Sequence, residues 1–238
     1  CHLRLYCVGR RKELFTPFQE AVPLESFTHT FLESEEPDPA LAAQADVIFA
    51  DLTDLDAAGA LRTLSQSGVE LVALGTRDQL SQLTDLLPAL TDLWPLPMSQ
   101  AELCFRFQKW QRTCCQEKEL WESRQYLEAA INSVPNLVWY KTRDGVHEKV
   151  NDSFCQTVNK TKEQVQGQRH AYIWDVEQDD PACIESERIV MEVKKTCVAE
   201  ETIQTGEGTR LLTTYKSPLY DLDGSVMGTV GVAIDVTK

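Results

Sequence analysis

From residue 3 to residue 98 the chain alternates short apolar runs with segments whose apolar side chains recur every three or four positions. Apolar runs of this kind predict strands, and the intervening spacing predicts helices. The predicted strands are 4–8, 27–32, 46–52, 71–75 and 92–96, and the predicted helices are 12–21, 40–45, 57–67 and 79–90. Regular strand and helix alternation is typical of a parallel sheet with crossover helices. We therefore expect residues 1–98 to form an α/β doubly wound domain.

A long helix is predicted over residues 99–134, because this stretch contains neither glycine nor proline. Ser99 and Glu102 have the spacing of a capping box, which marks a helix N-terminus. The apolar positions recur at intervals of three, four and seven with one phase slip, which favours a coiled-coil seam and parallel homodimers. The expected seam residues are Leu103, Phe107, Trp110, Leu120, Leu127 and Ile131. The alternative is a helix that lies on its own domain.

After residue 135 the pattern changes to two strands, several short helices and three further strands. Turn sequences such as Asp144-Gly145 and Asp223-Gly224 separate neighbouring strands and favour hairpins. The predicted strands are 136–141, 146–150, 197–204, 209–219 and 225–236. Residues 135–238 are therefore expected to form an α+β domain with a five-stranded antiparallel sheet.

Composition and charge limit the classes of partner that the chain can bind. The 238 residues include 23 Lys and Arg against 37 Asp and Glu, a net charge of -14. Such a chain repels phosphate backbones and anionic head groups, so we expect neither nucleic acid nor a membrane surface as partner. No apolar run approaches the roughly 20 residues that span a bilayer, and no leader sequence is evident. We expect a cytoplasmic location.

Motifs for chemistry are absent from the sequence. The eight cysteines show no C-x2-C spacing, and phosphate-binding and serine-hydrolase motifs do not occur, so we expect no metal site and no catalytic residue. A haem ligand in the last domain would have to be His147 or His170, and we expect both to be exposed. Cys155, Cys183 and Cys197 stay open as redox-sensing thiols. No cofactor is predicted.

The stretch 45–52, Ala-Asp-Val-Ile-Phe-Ala-Asp-Leu, resembles the third strand of response-regulator receiver domains. The resemblance implies a flavodoxin-like fold and places Asp51 at the phosphoacceptor position. Receivers also have an acidic pair after the first strand, where this chain has Val8-Gly9-Arg10-Arg11, and a Lys-Pro after the fifth, where it has Leu96-Pro97. The domain therefore looks like a degenerate receiver in which Asp51 is vestigial. The alternative is that the domain is a true receiver that is phosphorylated at Asp51.

The last domain resembles PAS sensory domains. The resemblance rests on Asp144-Gly145, the step from Asn151 to Phe154 and the closing Asp235-Val236-Thr237. It implies that Asp235, Val236 and Thr237 pass a signal to an output domain, that the domain contributes to dimerisation, and that a cavity can hold an unknown small molecule. The candidate pocket residues are Val138, Tyr140, Phe154, Trp174, Ile189, Ile203, Leu212, Tyr215 and Val230.

The stretch 215–224, Tyr-Lys-Ser-Pro-Leu-Tyr-Asp-Leu-Asp-Gly, is similar to PAS domains that precede bacterial GGDEF diguanylate cyclase domains. We therefore expect a sensory module, not itself an enzyme, that regulates a C-terminal effector in cis. Two alternatives are the input region of a sensor histidine kinase and a stand-alone scaffold that binds a partner protein.

Overall fold

A computed structural model describes residues 1–24 and 27–237. The chain divides into two compact units, Cys1–Trp121 and Glu122–Lys238. Lys238, where the predicted last domain ends, lies outside the described residues.

The first unit contains a five-stranded parallel sheet, as the alternation predicts. The strands are β1 (His2–Val8), β2 (Thr28–Ser34), β3 (Val47–Asp51), β4 (Glu70–Thr76) and β5 (Asp92–Leu96). Their order is β2-β1-β3-β4-β5, which is the order of flavodoxin-like doubly wound sheets.

The helices of this sheet are short, so the likeness to flavodoxin is loose. They are α1 (Thr16–Glu20), α2 (Pro39–Gln44), α3 (Ala57–Ser65) and α4 (Arg77–Ser81). The segments predicted as the helices 12–21 and 79–90 each contain a 3-10 turn, at Lys12–Phe15 and Thr84–Ala89. Pro17 lies at the start of α1 and Pro88 inside the second 3-10 turn, and a proline has no N–H to continue a helix.

Both faces of this sheet are covered, as the continuous apolar strands require. Alternate residues of β3 belong to two separate cores, with Ile48 on one face and Phe49 on the other. The second core is aromatic: Phe18 packs edge-on against Phe49 and stacks on Phe107 with 4.5 Å between ring centroids. The sheet is therefore enclosed between two layers.

Helix α5 (Gln100–Asn132) follows and is 33 residues long. Its predicted capping box is confirmed: the backbone N–H of Ser99 donates to Glu102 at 2.7 Å, and the N–H of Glu102 donates to the Ser99 hydroxyl at 3.1 Å. Leu103 and Phe107 are buried in the aromatic core, and Trp110 packs against it. Leu103 and Phe107 are therefore wrong as seam positions, because packing within their own unit already covers them, whereas Trp110 stays partly exposed and its seam position remains a prediction.

The second unit contains a five-stranded antiparallel sheet of order β7-β6-β10-β9-β8. The strands are β6 (Leu137–Thr142), β7 (His147–Val150), β8 (Cys197–Thr205), β9 (Gly208–Tyr220) and β10 (Val226–Asp235). The helices are α6 (Asp152–Val158), α7 (Lys162–Val165), α8 (His170–Ile173) and α9 (Pro181–Val193). All five predicted strands are present, and short helices lie between them as expected, among them α8, which is only four residues long.

Asn151 joins the end of α5 to this unit. Its side-chain oxygen accepts from the N–H of Val138 at 3.0 Å and from the N–H of Phe154 at 3.1 Å. Its amide nitrogen donates to the carbonyls of Ile131 at 2.7 Å and Asn136 at 2.8 Å. The fully buried amide thus caps α6 and fixes the last turn of α5 and the start of β6.

Candidate functional site

The candidate site is the interior of the second unit, where the sheet faces α6, α8 and α9. A cavity of about 20 Å³ lies there, which is room for about one water molecule. Its walls combine aromatic and aliphatic side chains with ionisable ones: Trp139, Lys141, His147, Phe154, His170, Trp174, Cys183, Glu201, Ile203, Leu212 and Lys216. The small volume shows that side chains nearly fill the interior.

Four of the nine predicted pocket residues border this cavity. Phe154, Trp174, Ile203 and Leu212 are buried in the core of the unit. Phe154 packs against both Trp139 and Trp174, with ring centroids 6.0 and 5.8 Å apart. The prediction therefore found the apolar half of the wall.

The other five predicted residues do not border the cavity. Tyr215 and Ile189 are 43% and 40% exposed, and Val230 is partly exposed. Val138 is buried outside the inner core, and Tyr140 lines an outer groove with Leu127 and Ile131. For the strand residues the error is one of register: side chains alternate between faces, and their neighbours point inward instead.

Those neighbours include two buried lysines that pair with two buried glutamates. Lys141 Nζ lies 2.5 Å from Glu187 Oε1, and Lys216 Nζ lies 3.0 Å from Glu201 Oε1. Lys216 Nζ also donates to the Ser186 hydroxyl at 2.7 Å and lies 3.9 Å from the same Glu187 oxygen. Four charges of balanced sign are therefore held in a place where such residues are rarely found.

Sequence reasoning missed this cluster because lysine and glutamate in a strand usually mark the solvent face. One signal was available. Lys141 follows Trp139 by two positions, and Lys216 follows Leu212 by four, so each lysine shares a face with a residue of the core.

His147 and His170 were expected to be exposed, and both are buried. Burial, and then the nearby Lys141 charge, lower the pKa of His147 to about 2. Burial also lowers the pKa of His170, and the Lys141 charge acts in the same direction. Both rings are therefore neutral at pH 7.

A cleft of about 250 Å³ adjoins the cavity on the α9 side. Lys141, His170, Cys183 and Glu187 line the cleft; the first three also border the cavity. Arg143, Arg169 and Arg188 stand in its wall together with Asp144, Asp179 and Asp180. The cleft is a route by which a small molecule could reach the buried lysines.

Two of the three thiols considered for redox sensing, Cys155 and Cys183, are not activated by their surroundings. Burial raises the pKa of Cys183 to about 11 and also raises the pKa of Cys155. A reactive cysteine needs a lowered pKa, so these two are poor nucleophiles.

The predicted output motif is bound to β9. Asp235 accepts from Arg210 Nη1 at 2.7 Å and from the N–H of Thr237 at 3.0 Å. The Thr237 hydroxyl accepts from the N–H of Leu211 at 2.9 Å, while Val236 donates its N–H to the Leu211 carbonyl. Leu212, the residue after Leu211, borders the cavity, so the motif is hydrogen-bonded to a strand segment that forms part of the cavity wall.

In the first unit, Asp51 ends β3 and its side chain is fully buried. The Arg11 guanidinium binds both carboxylate oxygens, at 3.0 and 3.1 Å, and donates to the Thr53 hydroxyl at 2.8 Å. Gly9 passes so close that a Cβ there would meet the Asp51 side chain at 2.8 Å. The carboxylate is thus enclosed by an arginine that neutralises its charge.

Within residues 1–24 and 27–237, no group of three His, Cys, Asp or Glu side chains is placed to hold a metal ion. None of the helices in the same part of the chain is long and apolar enough to cross a membrane.

Solved structures of PAS domains match about half of the chain. The PAS domain of a protein from Colwellia psychrerythraea is 20% identical, with 48% of this chain and 96% of that chain covered and a TM-score of 0.40. The PAS domain of Bordetella pertussis BvgS is 21% identical, with 49% of this chain and 88% of that chain covered and a TM-score of 0.39. The PAS domain of an HTR-like protein from Haloarcula marismortui is 21% identical, with 51% of this chain and 98% of that chain covered and a TM-score of 0.41.

No curated protein matches the chain significantly. The family model described as "PAS fold" matches residues 131–238, the stretch that begins in the last turn of α5 and contains the whole antiparallel sheet. Residues 131–238 are therefore a PAS domain, which implies a sensory role in signal transduction.

Proposed function

We propose that the chain is the sensory region of a bacterial, cytoplasmic signalling protein whose PAS domain regulates an output domain after Thr237, a GGDEF diguanylate cyclase. The observation that carries this proposal is the attachment of the output motif to β9. Asp235 and Thr237 bind Arg210 and Leu211, and the same strand carries Leu212 and Lys216 to the cavity wall. The similarity of residues 215–224 to PAS domains that precede GGDEF domains supports the choice of output.

The proposed mechanism is a shift between two conformations of β9 and β10. A ligand changes the populations only by the difference in its affinity for the two states. Leu212 pairs with Asp235 across the two strands, so a displacement on the inner face is one residue pair away from the output motif. The output domain would then respond to the conformation of this pair.

The first unit is proposed to be a degenerate receiver with a binding role in place of phosphoryl transfer. Its sheet order, and the position of Asp51 at the end of β3, support the relationship. Arg11 in contact with Asp51 supports the loss of chemistry, because its guanidinium occupies both carboxylate oxygens, one of which would have to attack the phosphorus of a phosphoryl donor.

The protein is further proposed to form parallel homodimers through the exposed part of α5 and the PAS domain. Leu120, Trp121 and Leu127 are 54%, 61% and 44% exposed, and Tyr126 beside them is 72% exposed. Leu120 and Leu127 are seven positions apart, the interval of a coiled-coil seam, and this spacing supports pairing with a second copy of the chain.

The first experiment is to sequence the natural reading frame beyond codon 238. A Gly-Gly-[Asp/Glu]-Glu-Phe motif within the next 150 or so residues supports the cyclase, since one domain has about that length. Histidine-kinase motifs would replace the cyclase by the kinase alternative, and a stop codon would replace it by the partner-binding scaffold.

The second experiment measures coupling in the full-length product, as synthesis of cyclic di-GMP from GTP. Asp235→Asn weakens the contacts with Arg210 and Thr237 and should change the basal rate at least about fivefold, the lower end of typical coupling energies. Asp221→Asn, in the exposed turn before β10, is the matched control and should leave the rate unchanged. Equal rates for all three proteins would contradict the proposed route.

A further inference from the structure

We infer that the PAS interior binds a small carboxylate, and that the Glu187 side chain holds the place this ligand would take. The inference rests on the proposed sensory function and names the ligand class for it. It starts from the geometry of the buried charges.

Two buried ammonium groups flank a single carboxylate oxygen. Lys141 Nζ lies 2.5 Å and Lys216 Nζ 3.9 Å from Glu187 Oε1. The lysines come from β6 and β9, the two strands on either side of β10, whereas Glu187 comes from α9. The sheet therefore supplies a carboxylate site, and a helix that packs on it supplies the carboxylate.

Two hydrogen-bonding groups of this face have no partner among the described residues. Trp139 borders the cavity and its buried Nε1 can only donate, whereas the buried Thr229 hydroxyl can donate or accept. Thr229 pairs with Lys141 across β6 and β10, and Trp139 is two residues before Lys141. A ligand with acceptor oxygens would satisfy such groups, while an amine would add donors.

Glu187 also has somewhere to go. It lines the cleft, whose wall carries Arg143, Arg169 and Arg188 together with Asp144, Asp179 and Asp180. A ligand carboxylate entering from the cleft could take the lysines while Glu187 turns toward these arginines. Neither carboxylate is then left buried and unpaired, the arrangement that costs most. Because Glu187 belongs to α9, the exchange would also shift that helix.

The test is calorimetric titration of the full chain with acids and their neutral amides of the same shape: acetate with acetamide, and succinate with succinamide. We expect saturable binding of at least one acid and none of its amide. Glu187→Gln keeps the side-chain shape but removes the competing charge. Because a tethered competitor acts at an effective concentration of millimolar or more, the acid should bind at least about tenfold more tightly to this variant.

Two further variants complete the test, each checked for folding by circular dichroism. Lys216→Met should abolish binding of the acid, because it removes one of the two ammonium groups. Glu200→Gln removes a carboxylate on the exposed face of β8, beside the buried Glu201, and should leave the affinity unchanged.

Three results would overturn the inference: no acid binds wild-type or Glu187→Gln protein, an amide binds as tightly as its acid, or Glu187→Gln fails to tighten binding. None of them bears on the Asp235→Asn rate measurement. The ligand class can therefore fail while the proposed sensory function stands.

Discussion

Arg11 and Asp51 form a two-point contact in which a partly exposed guanidinium neutralises a fully buried carboxylate, with N–O distances of 3.0 and 3.1 Å. The contact joins the loop after β1 to the end of β3, 40 residues apart along the chain. A buried carboxylate that loses its cation is strongly destabilising, so this pair has consequences for stability and for chemistry.

We expect Arg11→Ala to lower the free energy of unfolding of the first unit by about 2–3 kcal/mol. This is below the 3–5 kcal/mol of a fully buried pair, because Arg11 is partly exposed. Urea denaturation measures the change. Arg10→Ala is the matched control: solvent screens its exposed pair with Glu36, so the loss of stability should be much smaller than for Arg11→Ala. Equal losses for the two variants would show that the Asp51 contact is no stronger than a surface pair.

Acetyl phosphate with Mg²⁺ should add no mass to the intact protein. The reason is access and charge: Asp51 is fully buried and Arg11 already occupies both of its oxygens. Intact-mass spectrometry before and after incubation is the measurement, with Asp51→Asn as the control for modification elsewhere. A phosphoryl adduct present in the wild type and absent from Asp51→Asn would restore the phosphorylated-receiver interpretation.

The stability of the PAS domain should fall as the pH is lowered from 7.5 to 5. Burial lowers the pKa of His147 to about 2, whereas an unfolded histidine has a pKa near 6.5. Below pH 6.5 the unfolded state therefore binds a proton that the folded state does not. The contribution of the neutral His147 ring to the free energy of unfolding is therefore complete above pH 6.5. It is lost as the pH falls below that value, at up to about 1.4 kcal/mol per pH unit.

Urea denaturation across this range, followed by the fluorescence of the buried tryptophans, measures the slope. His147→Gln should reduce it, and the residual slope should reflect His170, whose pKa burial also lowers. His2→Gln is the matched control. His2 is exposed and belongs to the first unit, so this substitution should leave the slope of the second unit unchanged. A slope in His147→Gln as steep as in the wild type would contradict the prediction.

Leu127→Glu should shift the protein toward monomers. Leu127 is 44% exposed on the part of α5 proposed to pair with a second chain, and a carboxylate there would be desolvated in the dimer. Light scattering at micromolar concentration measures the mass. Gln125→Glu, two positions away and exposed, adds the same charge as a control. An unchanged mass for Leu127→Glu would remove the helix from the proposed interface.

The sequence predicts the order of strands and helices well because both units repeat clear periodic patterns. β5 is found at the predicted bounds, and the Ser99–Glu102 capping box begins α5 as expected. Periodicity cannot, however, tell which partner covers an apolar stripe. Leu103 and Phe107 have coiled-coil spacing, yet the aromatic core of their own unit buries them.

The candidate site shows the same limit. Strand alternation gives two faces but not which of them is inside, so the pattern favours the aromatic Tyr215 as an interior residue, whereas the structure buries Lys216. The buried lysines are stable only because Glu187 and Glu201 arrive from a helix and a neighbouring strand. Such pairing is decided by the tertiary fold, and a pattern read along one strand does not contain it.

Asn151 has a mechanical consequence for α5. Its side chain makes two donor and two acceptor contacts, and one of them reaches the carbonyl of Ile131 in the last turn of the helix. Rotation of the helix about its axis at this end would break this hydrogen bond. The Asn151 side chain is therefore a direct path by which a movement of the last turn of α5 would reach the start of β6.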